Sequence, residues 1–206
     1  MIPSSQGGIF MTSERTKDTA TKILENSWVK WVHLGLIPAE TPLAKSINVG
    51  LGAITNHCAQ CRNLNGCCFV KGNHPPHPPH KYCHCELVDI KMPSIKAECA
   101  IEKFEEYIFH PTKNKGKKEL FESWGYGIMD SQYLQQEFVR QAQIAYSAGE
   151  YQIGAIDDHG QRINIEITLK TAQGDYISFK SGWMVYPNGR IVLVTPFGGK
   201  RNERIR

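Results

Sequence analysis

The sequence predicts an α+β protein: helices followed by a four-stranded antiparallel sheet, behind an N-terminal helical segment that runs into a cysteine- and histidine-rich metal-binding stretch. Three observations carry this. Cys58, Cys61, Cys67, Cys68, Cys83 and Cys85 fall within 28 residues, with only Cys99 outside them. Apolar residues recur at helical spacing between Ile101 and Ala145. After Gly149 the period changes to β-branched and aromatic runs separated by short turns.

Taken in order, SERTKDTATKILENSWVKWVHLGL sets Ala20, Ile23, Leu24, Trp28, Trp31 and Val32 close to helical spacing, with Ser13 or Thr16 as a start. A second short helix is expected after Thr41 and Pro42, on Leu43, Ile47, Leu51 and Ile54. From Cys58 to Cys85 neither period holds, and the prolines of GNHPPHPPHKYCHC exclude regular structure. Something other than a hydrophobic core must order it.

Beyond Pro93 and Ser94, Ile101, Phe104 and Ile108 mark one amphipathic helix and Leu120, Phe121 and Trp124 a second. Leu134, Phe138 and Ala145 mark a third, which Asp130 can cap. YQIGAI, RINIEITLK, YISFKSGWMVY and RIVLVTPF are the four strands, and DDHGQ, TAQGD and PNG the turns between them. Asn188-Gly189 is the strongest turn signal. Connections this short leave no room for crossover helices, so the sheet is expected to be an antiparallel meander. The chain divides into residues 1–97, helical with the Cys/His-rich module, and 98–206, the α+β domain.

The 206 residues are 41% hydrophobic and 21% charged. This excludes a membrane-spanning or disordered chain, and the N-terminus lacks the pattern of a secretory signal. The net charge of +4 is uneven: residues 1–97 hold ten basic and six acidic side chains, and 98–206 hold fourteen of each. No strongly basic domain announces a nucleic-acid binder.

Zinc takes four ligands in tetrahedral geometry, and two cysteines three apart supply two of them without strain. Cys58 and Cys61 have that spacing; His80 and Cys83 repeat it, and Cys85 competes as a ligand. A structural zinc closing this loop would order the proline-rich segment. Reduced cysteines beside a linker are the plain alternative, with disulfides third. A catalytic zinc would need a nearby base, and Glu86 is the one acidic candidate close in sequence. A zinc deaminase is disfavoured by the lack of an HxE motif followed by PCxxC.

In the second part, Lys113, Lys115, Lys117 and Lys118 follow His110 directly. A lysine run alone is commonly a solvated loop, but a histidine beside cations can move protons while they stabilise a charged transition state. Lys180, Ser181, Arg190 and Thr195 can present polar groups from the sheet; Trp183 reads as core and His159 as an exposed turn residue.

Two resemblances attach to these residues. HCAQCRNLNGCCF followed by PPHPPHKYCHC resembles the cysteine-rich closing segment of phage head-morphogenesis proteins of the Mu F type. EEYIFHPTKNKGKKELFESWGY and SGWMVYPNGRIVLVTPF resemble a C-terminal domain of bacterial polymorphic and contact-dependent toxins, whose pattern falls here on His110, Lys117 or Lys115, Phe121, Trp183 and Thr195, with a longer lysine-rich insert after His110. The layout of helices before a four-stranded antiparallel sheet is also that of the barnase, EndoU and RelE ribonucleases. The toxin resemblance implies an effector acting in the cytoplasm of a target or host bacterium, phage-associated or secreted as part of a larger protein. It also implies an RNA substrate and a cognate immunity protein, acidic and covering the lysines. A metal-independent ribonuclease needs a base, a cation and an acid, and His110, Lys117 with Arg190, and Thr195 or Ser181 are the candidates. The alternative is a phage structural or adaptor module that binds a protein partner and catalyses nothing.

Overall fold

The computed structural model describes residues 27–33, 59–79, 83, 85–112 and 116–197. The sequence reading for residues 13–26 and for Thr41 to Ile54 lies outside them. The chain is α+β, as its periodicity predicts, but it carries two sheets rather than one.

The first sheet is built from segments with no clear period. Strand β1 (Trp28–His33) lies between β2 (Cys68–Val70) and β3 (Cys85–Ile90), antiparallel to both. A short helix α1 (Ala59–Leu64) precedes β2. The expected helix over Trp28, Trp31 and Val32 is therefore corrected to a strand. Trp28 and Trp31 are both buried although alternation sends them to opposite faces, so the strand reads like a buried helix turn. Trp28 meets Tyr146 edge-on, and Trp31 meets His77 edge-on, at centroid distances of 5.5 and 5.1 Å.

The second sheet has the order β4-β8-β7-β6-β5. The strands β5 (Gln152–Asp157), β6 (Gly160–Lys170), β7 (Tyr176–Tyr186) and β8 (Arg190–Thr195) form the antiparallel meander read from the sequence. A fifth strand, β4 (Lys96–Glu98), joins β8 in parallel, so the expected four-stranded antiparallel sheet is corrected to a mixed five-stranded one. Three residues with one buried side chain, Ala97, are too few to show a period. The 97/98 division falls inside this strand. Asn188 and Gly189 have φ of 63° and 80°, the left-handed pair that a two-residue hairpin turn demands.

Between the sheets come a π-helical turn (Lys103–Ile108), α2 (Lys117–Ser123), a 3-10 turn (Ile128–Asp130) and α3 (Ser131–Ala148). Leu134, Phe138, Ala142 and Tyr146 follow one another at four-residue steps and are buried along one stripe of α3. Phe138 packs on Phe104 and Phe179, which binds α3 to the π-helical turn and to β7. Asp130 does not cap α3 with its side chain. Its carboxylate accepts the Gly127 amide at 2.8 Å and closes the 3-10 turn instead.

β5 ends its pairing with β6 at Asn164, yet β6 runs on to Lys170. There the Gln141 side chain takes over: it donates to the Thr168 carbonyl at 2.7 Å and accepts the Thr168 amide at 2.8 Å. Tyr126 donates to the Lys170 carbonyl at 2.6 Å.

Both sheets bury their apolar side chains in one contiguous core. Polar contacts seal the join. Asn188 donates its amide to the Gly66 carbonyl at 2.9 Å, and Asn73 donates its side-chain amide to the Gly149 and Tyr151 carbonyls at 2.9 Å each. The Tyr151 hydroxyl accepts the Val70 amide at 3.0 Å and donates to the Asn73 carbonyl at 2.7 Å. Among the described residues no helix is long and apolar enough to cross a membrane.

Candidate functional site

The cysteine cluster is assembled by three separate pieces of chain. Cys61 comes from α1, Cys83 from a stretch outside regular structure, and Cys85 opens β3. Their sulfurs lie within 4.8 Å of one another, and Cys61 and Cys83 are 3.7 Å apart. A metal ~2.3 Å from each of two sulfurs in tetrahedral geometry sets them about 3.8 Å apart, so the pair already has the edge length of such a site. The three cysteines are thus close enough to bind a metal ion. Cys58 and His80 lie outside the described residues.

The surroundings of Cys85 act in two directions. Burial pushes the Cys85 thiol up, and the Trp31 indole opposes that shift by favouring the thiolate. The indole N–H is buried and meets no acceptor in hydrogen-bond geometry, the condition a negatively charged sulfur would relieve. The Cys85 amide donates to the Cys83 sulfur at 3.3 Å, while His77 Nε2 bonds the Cys85 carbonyl at 2.8 Å. His77 is therefore a support for the cluster rather than a member of it. Glu86 follows Cys85 on β3, is exposed and leaves by the opposite face. Among the described residues, no carboxylate joins the cluster.

The other cysteines stand apart. Burial pushes Cys67 and Cys99 up to about 12, which keeps them as thiols, and the Cys67 thiol donates to the Val185 carbonyl at 3.7 Å.

The residues picked out for catalysis do not converge on one point. Ser181 is fully buried, donates to the Ile165 carbonyl at 3.0 Å and accepts the Trp183 indole N–H at 2.8 Å. It is a core residue, because a serine in the centre of β7 faces the same packed layer as Phe179 and Trp183. Arg190 bonds the Glu98 carboxylate at 3.0 Å and lies over the Tyr186 ring at 4.7 Å. Hydrogen bonds from Lys96 and Arg190 together hold the Glu98 carboxyl below its usual range. Arg190 opens β8 and Thr195 closes it, which separates them by about 17 Å.

Thr195 and Lys117 do approach one region. A cavity of about 390 Å³ is lined by Glu102, Lys103, Glu106, Tyr107, Val194 and Thr195, together with Ala100. The Lys117 ammonium reaches the Tyr107 hydroxyl at 2.6 Å and lies 4.5 Å from that ring's centroid. Thr195 donates to the Phe197 carbonyl at 3.1 Å. His110, three residues beyond Tyr107, accepts the Thr112 amide on Nδ1 at 3.1 Å, so the neutral ring carries its proton on Nε2. Lys113 and Lys115 lie outside the described residues, and Lys118 pairs with Glu122 at 3.8 Å. Glu106 and Tyr107 were missed from the sequence. Their signal was present as the polar side of the amphipathic turn marked by Phe104 and Ile108.

The fold and its clusters define a mixed α+β domain with a metal-competent cysteine site and a cavity beside β8. Residues 91–200 match the family described as a domain of unknown function (DUF6883), and the chain belongs to that family. No curated protein and no solved structure matches it.

Proposed function

We propose that this chain is a toxin-type effector that cleaves cellular RNA by attack of the ribose 2′-hydroxyl, and that its cysteine cluster holds a structural zinc. The observation that carries the first part is the Lys117–Tyr107 contact at the cavity that Glu106 and Thr195 also line. A carboxylate or phenol can take the 2′-proton and Lys117 and Lys103 can balance charge on the phosphorane, with His110, three residues along the chain from Tyr107, as the candidate to hold or return a proton. No step needs a metal. The resemblance of His110, Lys117 and Thr195 to the toxin pattern adds support, and an acidic immunity protein is the partner this reading expects over the lysines.

Zinc is favoured for the cluster by sulfur donors at a tetrahedral edge spacing, and a structural role for it by the lack of a carboxylate next to them among the described residues. Its chemistry would be confined to holding α1, the Cys83 stretch and β3 together.

Incubation of the purified chain with total RNA in magnesium-free buffer tests the activity. Cleavage with 2′,3′-cyclic phosphate ends is expected, and intact RNA at micromolar protein sinks the idea. His110→Ala is expected to relieve growth inhibition on expression while unfolding cooperatively; full toxicity of that variant removes His110 from the mechanism.

One observation favours the adaptor reading, in which the domain binds a protein and catalyses nothing. Lys117, Arg190 and Ser181 each have a partner inside the protein. Unimpaired growth of a naive bacterium expressing the chain is the outcome that would select it.

A further inference from the structure

The cysteine cluster combines sulfurs of unequal access. Cys61 and Cys85 are 1% and 5% exposed, whereas Cys83 is only half-buried. Cys85 is fixed as the first residue of β3, with its carbonyl bonded by His77 and Trp31 close to its sulfur. Cys83 stands outside regular structure and faces Cys61 at 3.7 Å. Cys67 and Cys99, both buried and pushed up to about 12, lack the thiolate character that oxidants require.

We propose that Cys83 and Cys61 form a peroxide-sensitive thiol pair, and that their oxidation to a disulfide is the reaction that discharges the metal from the site. The part that concerns the metal rests on the zinc reading above; the thiol pair does not. Hydrogen peroxide reaches the more accessible Cys83 first. Its thiolate takes one oxygen, giving the sulfenic acid and hydroxide. Cys61, the sulfur at 3.7 Å, then attacks the Cys83 sulfur and expels a second hydroxide. Two protons convert the two hydroxides to water. Two electrons have passed from the sulfurs to the peroxide.

Closing the gap from 3.7 Å to the ~2.05 Å of a disulfide asks for a shift of under about 2 Å. That shift falls on Cys83, whose backbone has no strand or helix bonds to break. The disulfide then withdraws two of the three sulfurs at the site, and the one remaining cysteine from this set cannot hold a divalent ion.

The experiment treats the full-length, zinc-loaded chain with graded hydrogen peroxide. Zinc release is followed with a chromogenic chelator, and disulfides are mapped by non-reducing proteolysis and fragment mass spectrometry that tells Cys83 from Cys85. One equivalent of zinc released in step with a Cys61–Cys83 linkage, both reversed by dithiothreitol and zinc, is the expected result. Cys99→Ser is expected to leave both unchanged. Zinc release accompanied by a Cys58–Cys61 linkage, or by sulfinic acid without any disulfide, overturns the proposal. Because Cys83→Ser can weaken metal binding by itself, the same map is made on metal-free protein. A chain that never takes up zinc but still forms the Cys61–Cys83 linkage removes the zinc reading and keeps the thiol pair. A metal-free chain that does not form it removes the pair.

Discussion

The Tyr146 hydroxyl, near the end of α3, donates its hydrogen bond to the carbonyl of Cys68 in β2. Both residues are buried, and the bond joins the helix that covers the larger sheet to the strand that follows the cysteine helix. Tyr146→Phe keeps the ring and leaves that carbonyl unpaired. A loss of about 1–3 kcal/mol is expected, which lowers Tm by roughly 2–12 °C for a chain of this size. A thermal melt of the variant checks it, and an unchanged Tm would show the bond to be dispensable.

Metal removal is expected to act on the whole molecule rather than on one end. Trp31 touches the cysteine cluster through its indole while its strand shares one core with α3 and β6. Metal-free protein, or Cys61→Ser, should therefore melt in one transition displaced downward by about 10 °C or more. Two well-separated transitions in calorimetry would instead mark the cysteine module as an independent folding unit.

Alkaline pH offers a test of the buried thiols and phenols. Burial pushes Cys67, Cys99, Tyr126 and Tyr151 to about 12 and Tyr146 well above its ordinary value. The unfolded chain loses these protons first, the thiols near 9 and the phenols near 10. The native state then binds more protons than the unfolded one, so the stability these groups contribute is fully present below about pH 9 and falls as pH rises toward 12. The urea midpoint at pH 7, 9 and 10.5 should decline across the last two, and a flat profile would contradict the assigned burial.

The two kinds of polar residue near β8 are separable by paired measurements. Lys117→Met and Tyr107→Phe are expected to lower RNA cleavage by about 100-fold, with Tm within a few degrees of the parent. Ser181→Ala should behave oppositely. It strips the acceptor from the buried Trp183 indole, costs about 1–3 kcal/mol, and leaves the rate per folded molecule unchanged. Loss of rate in Ser181→Ala at full stability would return Ser181 to the active site.

These assignments show where local pattern suffices. The meander was legible because β6 alternates buried with exposed or half-buried residues from Gln161 to Lys170 and the Asn188-Gly189 turn has one compatible conformation. The start of the α3 stripe, Leu134 and Phe138, was legible for the same reason at helical period, whereas Ala145 is half-buried and Ala142 and Tyr146 complete the stripe. β1 was not, since both of its faces are covered and burial erased the alternation. β4 was too short to carry any. At the cysteine cluster, spacing brought out Cys61, Cys83 and Cys85, while the contribution of Trp31 depends on a strand pairing, His33 to Cys85, that spans 52 positions. The scattered placement of Ser181, Arg190 and Thr195 had a partial signal, since alternation puts Ser181 on the side of Trp183 and one strand holds Arg190 and Thr195 at its two ends. Which residues share a strand is written in the sequence, but which ends of two strands meet is decided by register.

The side-chain amide of Gln141 has a consequence for how copies of this protein meet one another. Along β6 beyond Asn164, a peptide edge would otherwise face solvent and invite a second chain to extend the sheet. Gln141 occupies the Thr168 peptide from both sides of its hydrogen-bonding pattern, and Tyr126 closes the Lys170 carbonyl. At the far margin, β4 offers three residues, of which two are the charged Lys96 and Glu98. A single glutamine thereby stands in for a missing strand, and its replacement by leucine is expected to leave the Thr168 peptide open to pairing with another chain.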